Sequence, residues 1–183
     1  MMMSGESGVG VVVELVALGL QTLRALADGD AADAARVSGL PITGYLIEAD
    51  HRRMWALRYE QVQADSAVAA WATGVVYDPL LGVCVGCAGY HGPADRRGMV
   101  EVGYAIDPVF RRRGYARAAL VELLDRAARE PAVRVVRASV SPDNQPSLAL
   151  IGQYGFVRVG NQFDLVDGLE FVYEVGAGTG RLR

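Results

Sequence analysis

The 183-residue chain contains no lysine; all 18 of its basic residues are arginine. That absence excludes a phosphate-binding P-loop, which ends in Gly-Lys-Ser/Thr. With abundant Ala, Gly and Val, it reads as the bias of a GC-rich genome. Cysteine and histidine are scarce too, two of each, so no disulfide framework is expected. The cysteines form a C-x-x-C, Cys84-Val-Gly-Cys87, inside an apolar run that reads as a strand. Strand positions three apart point to opposite faces with α-carbons ~10 Å apart, too far for a disulfide. His51 and His91 have no ligand-like spacing to complete a metal site. The cysteines are therefore read as small buried hydrophobes, and no metal is expected.

Long apolar runs are missing as well. The stretch from Val9 to Leu20 is broken by Glu14 and preceded by Ser4-Gly5-Glu6-Ser7, without a positive charge. It is too short to span a bilayer, so a cytoplasmic protein with no membrane partner is expected. The net charge of −3 offers no basic stripe, and no nucleic-acid partner is expected. What the chain does have is 51% apolar residues, enough for the core of one domain. Tail-like composition places a flexible N-terminal tail at residues 1–8 and a C-terminal one at 176–183, leaving 9–175 as the domain.

The pattern predicts a first strand over 11–18 and one helix or two short ones over 20–37, with Gly29 as the break. A helical region follows over 50–72. Strands over 72–77 and 81–90 flank Asp78-Pro79 as a hairpin, and another strand covers 100–106. Ala116, Ala119, Leu120, Leu123, Leu124 and Ala127 form an apolar stripe on a helix over 114–130, which Pro131 ends. A strand over 133–140, a helix over 146–154 and strands over 156–163 and 169–175 close the chain. This order predicts an α/β (α+β) domain, a mixed central β-sheet with helices on both faces.

The junction from Asp107 to Ala116, with Arg111, Arg112, Arg113 and Gly114 in succession, joins a strand to the best helix in the chain. The free N–H groups and dipole of a helix's first turn favour an anion, and Gly114 lets a ligand approach the backbone. Three arginines suit phosphate; equally, they could be a solvated charge run. The three spaced glycines of a dinucleotide fold are absent.

Arg111-x-x-Gly114-x-Ala116 is similar to the R/Q-x-x-G-x-G/A signature by which GNAT acetyltransferases bind coenzyme A. The strand from Val100 to Pro108 looks like that family's central strand. The segment Arg137 to Ser147, followed by Gly155-Phe156, resembles its second cofactor segment, with N-x-x-S spacing as in the RimJ/RimL-like branch. The resemblance implies the GNAT fold, with acetyl-CoA as co-substrate and a primary amine, on a protein N-terminus or a small molecule, as acceptor. It implies that backbone groups at Ile106 pair with the pantetheine arm. The N–H groups of Arg112, Arg113, Gly114, Tyr115 and Ala116, beside Arg111, would hold the pyrophosphate. Asn144 would contact the pantetheine, cap the last helix, or do both.

Acetyl transfer needs a group to take the amine's proton. Glu101 is the candidate base: strand alternation puts it on one face with Gly103 and Ala105, whose small size leaves room for a substrate. The position where many family members carry a tyrosine acid, seven residues after the matching Asn, is Ile151 here. Tyr154 reads as core, and Ser147 becomes the candidate that stabilises or protonates the thiolate. His91 reads as a turn residue. Two other readings stay open: an acyl-CoA-binding domain without catalysis, motivated by Ile151, and a site for another nucleotide. A monomer and a homodimer fit equally well.

Overall fold

The computed structural model describes residues 11–166 and 168–179. The expected tail at residues 1–8 lies outside the described residues, as do residues 180–183. The first strand, β1 (Glu14–Val16), is shorter than its apolar surroundings suggest. Helices α1 (Leu20–Asp28) and α2 (Ala31–Ser38) follow, separated where expected. Gly29 adopts a left-handed conformation at φ 80°, and its N–H reaches the carbonyls of Ala25 and Leu26. Asp30 then caps α2, accepting the Asp33 N–H at 2.8 Å. A 3₁₀ turn (Gly44–Ile47) leads into α3 (Ala49–Ala64). The helical region ends early because Asp65 accepts the Ala67 N–H and starts a second 3₁₀ turn, Ser66–Trp71.

Strands β2 (Gly74–Asp78) and β3 (Val83–Tyr90) form the expected hairpin, its turn held by the N–H groups of Leu80 and Leu81 on Asp78 Oδ1. The chain continues through β4 (Met99–Ile106), α4 (Tyr115–Arg129), β5 (Val135–Val140), α5 (Gln145–Gly152), β6 (Val157–Asp164) and β7 (Gly168–Gly176). Past β7, Ala177 donates to the Arg134 carbonyl at 2.9 Å, carrying the pairing with β5 one residue further.

Among the described residues, seven strands form one sheet in the order β1-β2-β3-β4-β5-β7-β6. Strands β4 and β5 are parallel and the other neighbours antiparallel, with α4 as the crossover. Two apolar clusters define the faces. Ala119, Leu120, Leu123 and Ala127 of α4 join Val100, Val102 and Ile106 of β4 and Val136 of β5 on one side. Leu23 and Leu26 of α1 join Trp55 and Val62 of α3 over Val75, Cys84 and Cys87 on the other. The mixed sheet therefore has helices on both faces, as expected. Leu120 is fully buried; truncating it to alanine is expected to cost about 2–5 kcal/mol. No helix among the described residues is long and apolar enough to cross a membrane.

The C-x-x-C corrects one expectation. Cys84 and Cys87 do not point to opposite faces; both belong to the cluster under α1 and α3. The pairing steps from Val76↔Gly86 to Tyr77↔Cys84, leaving Val85 as an extra residue. Such a bulge resets the alternation of side chains. Both thiols are free and buried, and burial pushes them up to about 11 and about 12 respectively. They pack as small hydrophobes. Among the described residues, no group of three or more His, Cys, Asp or Glu side chains is placed to hold a metal ion.

Candidate active site

Strands β4 and β5 share three rungs: Met99↔Val135, Val100↔Val136 and Glu101↔Arg137. Beyond them, β4 continues to Ile106 paired with β3, and β5 continues to Val140 paired with β7. The two strands part at Glu101. The edge of β4 beyond that rung presents main-chain donors and acceptors to an extended guest. One is already engaged, since Arg111 Nε donates to the Ile106 carbonyl at 3.0 Å. The carbonyl keeps a second lone pair with which a guest can pair.

The loop after β4 begins with a short 3₁₀ turn, Pro108–Phe110, capped by Asp107. Arg112 then takes φ 61°, the positive-φ non-glycine position among the described residues, and Gly114 takes φ 93°. A left-handed arginine costs about 1–2 kcal/mol, a strain of the kind found at ligand sites. The first helical bond of α4 runs from the Ala118 N–H to the Gly114 carbonyl at 2.9 Å. The amides of Gly114 to Arg117 thus have no partner within the helix, and the positive end of its dipole lies there. Tyr115 anchors this turn, donating its hydroxyl to Asp78 Oδ2 at 2.6 Å. Burial and the Asp78 carboxylate push the Tyr115 phenol up to about 12.

A cavity of about 770 Å³ opens at this loop. It gathers Ile106, Arg111, Arg112, Gly114, Tyr115 and Ala116 with Asn144 and Ser147. Tyr45 and Ala105, which pack against the α1–α3 cluster, also line it, beside Tyr104 and Leu150 of the α4–α5 side. The cavity therefore reaches both sides of the sheet where the strands part. Asn144 caps α5, accepting the Ser147 N–H at 3.2 Å; its amide hydrogens stay available as donors. Arg113 is not among the lining residues, and its guanidinium sits 5.7 Å from the centre of the Phe110 ring.

Glu101 also lies outside that lining, at the rung where the strands separate. Its Oε1 accepts the Ser139 hydroxyl at 2.6 Å, and His91 Nδ1 stands 4.0 Å away. The room expected above Gly103 is taken: a Cβ there would meet His91 Nε2 at 2.7 Å. Burial and the nearby Arg58 guanidinium hold His91 below the usual 6.5, with Glu101 pulling the other way. Arg58 itself is buried on α3 and donates to Thr73 Oγ1 and to the His91 carbonyl.

The acetyltransferase (GNAT) domain family matches residues 21–157. The chain belongs to that family. The uncharacterized N-acetyltransferase YjdG of Bacillus subtilis (strain 168) is 33% identical over 73 residues. That match spans 40% of this chain and 44% of YjdG, less than half the length of the curated relative. Among solved structures, RimJ of Mycobacterium smegmatis in complex with CoA-disulfide superimposes with a TM-score of 0.63 at 21% identity, covering 91% of this chain and 82% of that one. A spermidine N-acetyltransferase SpeG mutant from Vibrio cholerae gives a TM-score of 0.61 at 17% identity, covering 90% and 94%.

The structure brings His91 to Glu101 and Tyr104 to the cavity of this GNAT domain. The sequence around His91 suggests a turn residue, yet its ring lies over Gly103. Tyr104 lies inside an apolar strand, yet it lines the cavity. A signal for it existed: alternation sets Tyr104 in the row of Val100, Val102 and Ile106, where a hydroxyl is out of place. Ile151 is fully buried, and Tyr154 is buried in the core as expected.

Proposed function

We propose that this chain moves an acetyl group from acetyl-CoA to a primary amine by direct attack in a ternary complex. The observation that carries the reading is the parting of β4 and β5 beside the amides of Gly114 to Arg117, both on one cavity. An extended pantetheine arm fits the open strand edge, and a pyrophosphate fits a helix start flanked by Arg111 and Arg112. That RimJ was solved with a CoA-disulfide supports the choice of ligand. Acetyl-CoA, when bound, supplies the activated acetyl group; this chain's residues 9–175 supply position and proton traffic.

Ile106, Arg111, Arg112, Arg113, Gly114, Tyr115, Ala116 and Asn144 form the cofactor-binding set, with Arg113 contributing its backbone alone. Glu101 takes the amine's proton. A protonated amine has a pKa of about 10, so the nucleophile must lose that proton near neutral pH. His91, kept neutral by burial and Arg58, holds the carboxylate's surroundings polar without adding a competing positive charge. Ser147 lies on the cavity near the sulfur's expected path. The acceptor is a protein N-terminus or a small-molecule amine, the latter class including what the SpeG mutant is named for.

Release of CoA across a panel of amines, with Glu101→Gln as control, tests transfer. Calorimetry with CoA, ATP and NAD tests the ligand; CoA alone is expected to bind well. Equal binding of ATP or NAD would refute the cofactor assignment. The buried Ile151 at the family's tyrosine position favours a second reading, an acyl-CoA-binding domain without turnover. Tight CoA binding with no transfer to any amine would establish it.

A further inference from the structure

The Tyr104 hydroxyl oxygen is buried with no partner at normal hydrogen-bond geometry, and the Ser147 side chain stands close by. Leaving a buried hydroxyl unpaired costs about 1–3 kcal/mol; of the buried hydroxyls without a partner among the described residues, those of Thr43, Tyr104 and Tyr154, Tyr104 alone belongs to a residue lining the cavity. Tyr104 sits on β4 past Glu101, where pairing with β5 has ended, and it lines the cavity with Ser147 and Asn144. Burial raises the Tyr104 phenol above its ordinary 10.0, and the Ser147 side chain beside the hydroxyl pulls the other way. Asn144 and Ser147 belong to the start of α5. Tyr104 and α5 therefore face each other across the opening between the strands.

We infer that the Tyr104 hydroxyl is the hydrogen-bond donor that receives the departing sulfur of the acyl donor, with Ser147 orienting it. This rests on the acetyl-transfer reading above. In the step, the amine nitrogen forms a bond to the thioester carbonyl carbon, and the carbon–sulfur bond breaks with its electron pair going to sulfur. The amine's proton leaves through Glu101 to solvent. Tyr104 keeps its own proton and shares it with the thiolate, which is protonated from solvent on release. A phenol held above its ordinary 10.0 by burial is suited to donating a hydrogen bond rather than surrendering the proton. Placing such a donor where charge develops is an effective form of stabilisation. The fully buried Ile151 leaves this role open, and Tyr104 fills it from the strand instead of the helix.

Two measurements test the inference on the full chain. In steady-state kinetics, Tyr104→Phe is expected to lower kcat about 10²-fold while leaving the KM for acetyl-CoA within about twofold; Ser147→Ala is expected to have a smaller effect. Separately, the thiolate absorbance of CoA bound to the protein is followed against pH, which needs no acceptor. A donor at sulfur favours the thiolate, so Tyr104→Phe is expected to move its titration upward by about one pH unit. An unchanged kcat, or an unchanged thiol titration with CoA still bound, would overturn the role of Tyr104 and leave acetyl transfer standing. A wild-type chain that turns over no amine would overturn both.

Discussion

The His91 ring lies over Gly103, close enough that a single added carbon at residue 103 would come within 2.7 Å of Nε2. The glycine is thus the floor on which the imidazole rests, 4.0 Å from the Glu101 carboxylate. Gly103→Ala is expected to push the ring aside and to reproduce the kinetic effect of His91→Ala. Both variants should lose turnover, about tenfold or more, and shift the acidic limb of the kcat profile, while CoA affinity by calorimetry stays intact. If Gly103→Ala leaves kcat and its pH profile unchanged, His91 has no part in the reaction.

The same histidine governs stability toward acid. His91 titrates below its ordinary 6.5 because of burial, then Arg58, against Glu101; His51 does so because of burial, against Glu48 and Asp50. With the folded-state value depressed, the unfolded chain binds the proton first. Their stabilising contribution is full above about 6.5 and is lost as pH falls through the folded-state values. Thermal midpoints should decline as pH drops from neutral. His91→Asn should remove part of that slope and a second substitution, His51→Asn, more of it. An undiminished slope in the double variant would contradict this origin.

Gly114 separates backbone cost from crowding. A Cβ there meets Val11 Cγ2 at an ordinary 3.5 Å, so the penalty of Gly114→Ala comes from φ 93°. It should destabilise the chain by about 1–2 kcal/mol and weaken CoA binding by misplacing the loop amides. Arg112→Gly should do the reverse for stability, relieving φ 61°, yet still weaken CoA binding through lost charge. Denaturant unfolding and calorimetry on both variants separate the two effects.

Tyr115→Phe removes the donor at 2.6 Å from Asp78 Oδ2 and leaves one oxygen of a buried carboxylate short of a partner. The expected loss is about 1–3 kcal/mol. Asp78 is held below 3.8, chiefly by this hydroxyl and against the effect of burial, so its stabilisation is present above about 3.8 and is lost as pH falls below. Unfolding measured at neutral pH and again in that acid range should show the wild type and Tyr115→Phe converging at low pH. A constant gap would argue against the hydrogen bond as the cause.

Much of the architecture was legible because local signals were strong. The α4 stripe from Ala116 to Ala127, the break at Gly29 and the Asp78-Pro79 turn each place an element without reference to distant chain. The motif at Arg111, Gly114 and Ala116 was legible for the same reason: a strand, a loop and a helix start lie within ten residues. The bulge at Val85 was not, because it exists only in the pairing of β3 with β2. The alternation rule consequently sent Cys84 and Cys87 to different faces.

The sequence by itself determined the element order, the mixed sheet, the family and the loop that faces an anion, since these depend on periodicity and on contiguous motifs. Tertiary structure alone decided what stands around Glu101 and across from Ser147. His91 and Ser139 reach Glu101 from neighbouring strands and connections, and Tyr104 meets the start of α5 only because β4 and β5 part after three rungs. Such encounters join residues 10 to more than 40 positions apart, and no local pattern encodes them.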